Sequence, residues 1–72
     1  MPCHWEANGV DLGDEITFIP PDQPISSGYH CVGDDNTCVK WVDDHWLGSF
    51  CYPGPYVDRG NGVFSQKCEC FW

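Results

Sequence analysis

Hydrophobic positions in this chain alternate with polar ones at a period of two, and no run repeats at the 3.6-residue period of an amphipathic helix. Val10 and Leu12 alternate with Asp11 between two turn signals, Asn8-Gly9 and Gly13-Asp14. Residues 15–19 predict a strand with Ile16 and Phe18 on one face. Pro20, Pro21 and Pro24 stop that strand and impose an extended linker. Residues 29–32 predict a second strand, turning over 33–36. The strongest strand pattern covers 37–42, with Val39 and Trp41 on one face and Cys38, Lys40 and Val42 on the other. Asp43, Asp44 and His45 interrupt it before Trp46 and Leu47. Residues 51–61, which hold Pro53, Gly54 and Pro55, are expected to be irregular. Gly60-Asn61-Gly62 is a hairpin-type turn, and 63–71 predicts a final strand.

Composition agrees with this pattern. One Ala, two Leu and one Met leave few strong helix formers, whereas β-branched and aromatic residues dominate the apolar set. Eight glycines and six prolines punctuate it, so the expectation is a loop-rich β domain. Seventy-two residues make one small domain, residues 1–72. A chain this short buries only about 60% of its unfolded surface, so an apolar core alone is marginal.

Cysteine supplies the missing stability. Six cysteines, Cys3, Cys31, Cys38, Cys51, Cys68 and Cys70, read as three disulfides made in an oxidising, extracellular compartment. Met1-Pro2-Cys3 leads straight into polar sequence, so the chain is expected to be the mature part of a secreted protein with an added start methionine. Six cysteines allow fifteen pairings; Cys68 and Cys70 are expected on opposite faces of a strand and hence not bonded to each other, which removes three and leaves twelve. Those two residues then tie the C-terminal end to two different earlier points. Zinc is the rival reading, but gaps of 27, 6, 12, 16 and 1 residues lack the close Cys pairs of structural zinc sites. His4, His30 and His45 do not sit at ligand spacing from one another, so no metal and no other cofactor is expected.

Charge excludes further classes. Eleven Asp and Glu against three Lys and Arg give a formal net charge of −8, the wrong sign for a nucleic-acid or anionic-membrane binder. No apolar run approaches the ~18 residues of a membrane-spanning helix. Catalysis has little support: Gly48-Ser49-Phe50 is no nucleophile elbow, and the adjacent acids at 14–15, 34–35 and 43–44 read as solvated turn formers. Asp11, Gly13 and Glu15 do not supply the ligand ladder of an EF-hand calcium loop. The chain is therefore expected not to be an enzyme.

Binding fits better. Eleven aromatics exceed what so small a core can hide, and Trp and Tyr are enriched in interface hot spots. The segment 40–46 combines Trp41 and Trp46 with Asp43, Asp44 and His45; Tyr29 and His30 form a second candidate group. The competing reading of 40–46 is a strand end whose tryptophans cover the disulfides.

Cys3, Gly9, the run Gly13-Asp14-Glu15-Ile16, and a Pro-rich stretch before Tyr29-His30-Cys31 resemble the opening of a von Willebrand factor type C domain. The single-domain arthropod form is similar in its late cysteine cluster, here Cys68-Glu69-Cys70. Two departures stand out: Pro24-Ile25-Ser26 lies where the family usually has a cysteine, and Glu69 separates a usually adjacent cysteine pair. One usual bridge of the family is thus missing. Such a reduced domain resembles the CirpT group of tick salivary complement inhibitors. That resemblance implies a small, disulfide-rich, mostly β, type C-like domain with short strands, long loops and two lobes, about 3–50 and 51–72. It also implies a secreted, non-catalytic inhibitor that binds the fifth complement component of host plasma and blocks its activation.

The net charge adds the expectation that the partner's surface is basic. Tyr29, His30, Trp41, Asp43, Asp44, His45 and Trp46 are the expected contact residues. Two alternatives stand beside this reading. One is a serine protease inhibitor with a rigid loop near Arg59, and the other is a growth-factor- or matrix-binding type C module.

Overall fold

The computed structural model describes residues 3–34, 37–47 and 50–70. These form eight strands: β1 (Cys3–Ala7), β2 (Val10–Asp11), β3 (Glu15–Phe18), β4 (His30–Gly33), β5 (Lys40–Val42), β6 (His45–Leu47), β7 (Cys51–Gly60) and β8 (Val63–Cys70). No helix occurs among the described residues. The protein is a small, disulfide-rich β domain.

The strands make three small antiparallel sheets, in the orders β2-β1-β4, β3-β8-β7 and β5-β6. Each follows from local chemistry. Asn8 and Gly9 both adopt positive φ, 53° and 76°, the backbone that a two-residue hairpin between β1 and β2 requires. The turn predicted at 60–62 joins β7 to β8, with all three residues at positive φ. β3 starts at Glu15, with Ile16 buried and Phe18 half-buried on one face as predicted. It lies in the stretch expected as the first lobe and pairs with β8 from the stretch expected as the second.

Two local expectations are corrected, and one strand is added. Residues 51–61 are not irregular, because all but the last belong to β7. β7 is an edge strand, where a proline's missing N–H costs no ladder bond, and the register slips between Pro53 and Tyr56 to absorb the prolines. The strand predicted over 37–42 begins only at Lys40. Thr37 N donates to Asp34 O, Asp34 N to Thr37 Oγ1, and Thr37 Oγ1 to Asp34 Oδ1, closing a turn that outcompetes the ladder. Cys38 follows at φ 57°. The added strand is β1, which was not anticipated. Asp35, Asn36 and Phe71, included in the predicted turn and last strand, lie outside the described residues.

β1 carries the centre of the core. Its alternation turns Cys3 and Trp5 inward, and Trp5 is 0% exposed. Around them, among the described residues, the core cluster holds Ile16 and Cys68, with Tyr29 and the other cysteines packed at its margin. Burying a side chain of about 200 Å² at ~25 cal/mol per Å² gives Trp5 roughly 5 kcal/mol of hydrophobic stabilisation. The indole Nε1 donates to Gln66 O at 3.1 Å, fastening β1 to β8 across two sheets.

Three disulfides complete the connection: Cys3–Cys51, Cys31–Cys68 and Cys38–Cys70. Cys68 and Cys70 thus reach two different earlier points, as the sequence predicted. The two are not on opposite faces as expected: at i and i+2 on β8 they share one face, because strand side chains alternate with a period of two. The sequence separations are 48, 37 and 32 residues, and chain entropy assigns bridges of that span about 4 kcal/mol each. One bridge therefore rivals the largest apolar side chain in the core. Two of them touch: Cys3 Sγ lies 3.4 Å from Cys38 Sγ and 3.8 Å from Cys70 Sγ.

That crowding dictates Gly33. A Cβ there would stand 2.7 Å from Cys51 Sγ and 2.7 Å from Thr37 Cγ2, with no flexible chain end to yield. Gly33→Ala is expected to destabilise the fold by about 1–3 kcal/mol, as overpacking does. Urea unfolding checks the energy, and peptide mapping should show less Cys3–Cys51 bridge.

A second expectation concerns Tyr52 on β7. Its hydroxyl donates to Glu69 Oε2 at 3.1 Å. That bond, then the carboxylate charge, then desolvation push its ionisation above the ordinary 10.0. The folded pKa being raised, this contribution to stability is complete below the unfolded value. It is lost as pH rises through the folded one. A phenolate absorbance titration should show one tyrosine ionising late, and Glu69→Gln should return it to the ordinary range.

Candidate protein-binding hairpin

β5 and β6 form a two-stranded ribbon apart from the other sheets. Its register pairs Lys40 with Leu47, Trp41 with Trp46 and Val42 with His45. The turn between the strands is Asp43-Asp44, at φ 50° and 66°. Two successive left-handed residues match the right-handed twist of a ribbon. Aspartate tolerates this conformation better than most non-glycine residues. What the sequence presented as an interruption of a strand is thus the tip of a hairpin.

The turn places Trp41 and Trp46 directly across from each other. Their ring centroids are 5.1 Å apart at 70°, an edge-to-face pair of the kind worth about 0.5–1.5 kcal/mol. The rings support each other, but they are not covered: Trp41 is 56% and Trp46 63% exposed. This removes the reading in which the tryptophans shield the disulfides. Val39 and Phe50, which flank the ribbon in sequence, are exposed as well. Asp43, Asp44 and His45 are exposed at the tip, and the His45 Nδ1–H donates to Asp43 O at 3.1 Å. Cys38, two residues before β5, ties the base of the hairpin to Cys70. The result is an aromatic pair beside two carboxylates on a covalently anchored finger.

Five of the seven expected contact residues, Trp41, Asp43, Asp44, His45 and Trp46, therefore share one element. Tyr29 and His30 sit elsewhere. Tyr29 is half-buried against the core margin, and His30 on β4 stands opposite Glu6 of β1. Val39 and Phe50 were not singled out from the sequence, because an isolated apolar residue beside a turn gives no sign of its exposure.

Arg59 is differently placed. Its Nε donates to Ser65 Oγ at 2.9 Å, and its Nη2 lies 3.1 and 3.2 Å from the two Glu15 carboxylate oxygens. The side chain spans β7, β8 and β3 and is held on the sheet. A reactive-loop arginine would have to break these contacts to enter a protease pocket. Among the described residues, Cys3, Cys38 and Cys51 form the one group with metal-ligand proximity, and their sulfurs are committed to disulfides.

Comparison with protein-family models, curated proteins and solved structures finds no match.

The hairpin tip supplies its own test. Asp44→Gly relieves a left-handed side chain while keeping the turn type, so it should stabilise the ribbon by about 0.5–1 kcal/mol. Slower amide exchange in β5 and β6, with the other sheets unchanged, is the expected readout.

Proposed function

We propose that this chain is a secreted, non-catalytic inhibitor that acts by occupying a partner protein's surface with the β5–β6 hairpin. The observation that carries the proposal is the exposed Trp41–Trp46 pair beside Asp43 and Asp44. Leaving two large rings in water is unfavourable, and aromatic anchors ringed by polar groups are the usual composition of a hot spot. The anchor at Cys38–Cys70 supports the same reading, because a pre-organised finger loses little entropy on binding. Three disulfides favour an extracellular setting.

The resemblance of the sequence to reduced type C domains of the CirpT group adds the partner, the fifth complement component. Inhibition would come from steric block of its activation. A standard interface takes about 800 Å² per side. The chain's whole accessible surface is 4939 Å², so the hairpin and its surroundings would be largely committed to the contact.

Surface binding to the purified component, paired with complement-driven haemolysis, tests the proposal. Trp41→Ala or Trp46→Ala should each weaken binding by about 2 kcal/mol or more, with native disulfides retained. Asp43→Asn should cost less and mainly slow association, and raising salt should do the same, because the net charge of −8 steers encounter with a basic surface. Normal lysis at micromolar protein would defeat the complement assignment. Full binding by both tryptophan variants would defeat the hairpin assignment.

A further inference from the structure

Away from the hairpin, a cavity of about 510 Å³ opens between the end of β3, the turn that follows it and the start of β8. Phe18, Ile19, Pro24, Tyr29 and Val63 give it apolar and aromatic walls, and Asp22 is the one formally charged residue among the described lining residues. Its volume lies within the range of roughly 300–1,000 Å³ typical of small-molecule sites.

The walls are fixed before any ligand arrives. Phe18 meets Tyr56 edge-on at 5.2 Å and Phe64 at 6.1 Å. The Tyr56 hydroxyl donates to Gln23 Oε1 at 3.0 Å, bracing the turn from the neighbouring sheet. Within the turn, Ser27 N donates to Gln23 O and Tyr29 N to Pro24 O, both at 2.9 Å, and Pro24 is fully buried.

Asp22 is unlike its surroundings. It makes no hydrogen bond or ion pair with any described residue, and none of the described residues lining the cavity is a cation. Phe18 and Tyr29 line the same space as Asp22, and aromatic rings attract cations over their faces. An anion would meet both Asp22 and a chain of net charge −8. A neutral apolar molecule would use the walls and leave the carboxylate without a role. From this combination we infer that the cavity binds a small organic ammonium ion with an aromatic body. The ring packs on Phe18 and Tyr29, and the ammonium faces Asp22. This site is separate from the hairpin, and its occupancy does not depend on the proposed inhibitory function.

The test uses the intact oxidised protein and three matched probes: phenethylammonium, neutral 2-phenylethanol and anionic 3-phenylpropanoate. Amide chemical shifts of residues 17–29 and 63 follow each titration. Phenethylammonium should give saturable shifts there and bind about tenfold more tightly than the alcohol, a margin suited to a solvent-exposed charge pair with a cation–π contribution. The propanoate should not bind. Asp22→Asn, a change at an exposed position with no internal partner, should bring the ammonium and the alcohol to equal affinity without disturbing the disulfides. Equal binding of ammonium and alcohol to the unaltered protein would overturn the inference, as would shifts confined to other residues or an Asp22→Asn variant with undiminished preference. Tighter binding of N-acetyl-lysine methylamide than of phenethylammonium would also overturn it, by assigning the cavity to a protein side chain.

Discussion

Every disulfide in this protein crosses both of the others along the chain. Taken in order, the first cysteine bonds the fourth, the second the fifth and the third the sixth. Hydrogen-bond ladders organise each sheet, but the ladders stop at the sheet edges. Cys3–Cys51 ties β1 to β7, and Cys31–Cys68 ties β4 to β8. Cys38–Cys70 brings the base of the β5–β6 ribbon to the end of β8. Trp5 contributes the main non-covalent link, through its burial and its bond to Gln66 O. A core with four buried residues among those described could not hold three sheets by apolar burial alone, which is the general difficulty of so short a chain. The interlaced bridges remove that difficulty by restricting the unfolded chain.

With rigidity supplied covalently, the aromatic residues need not all face inward. Trp5 is central to the core, whereas Trp41 and Trp46 stack on each other in solvent. The same division applies to charge. Arg59 is drawn onto the sheet by Glu15 and Ser65, but Asp22, Asp43 and Asp44 form no ion pair among the described residues. These carboxylates are thus not neutralised by ion pairs within the described fold.

Much of the architecture was legible in the residue pattern. Period-two alternation located β3 and the body of β8, and Asn8-Gly9 and Gly60-Asn61-Gly62 marked the β1–β2 and β7–β8 turns because left-handed backbone has few acceptable residues. The role of Cys68 and Cys70 followed from cysteine arithmetic. Other features depended on information that local pattern does not carry. β7 was obscured by Pro53 and Pro55, which exclude a central strand but not an edge strand, and edge status is a property of the assembled sheet. Thr37 and Cys38 have β-forming neighbours, yet the hydroxyl of Thr37 turns back onto Asp34. In the candidate site, Trp41, Asp43, Asp44, His45 and Trp46 were legible as a group because a hairpin keeps sequence neighbours together. Tyr29 and His30 were linked to them only by composition; β4 places His30 beside β1 instead, and Tyr29 packs at the core margin.

The crossed connectivity has a consequence for cleavage of the backbone. A single cut anywhere between Cys3 and Cys70 leaves at least one disulfide joining the two pieces. A cut between Cys38 and Cys51, the interval that contains the exposed hairpin, leaves all three spanning the break. A protease could therefore open the exposed hairpin without releasing a fragment. The nicked chain would migrate as one species until reduced, and loss of the hairpin's shape would be separable from loss of the molecule itself.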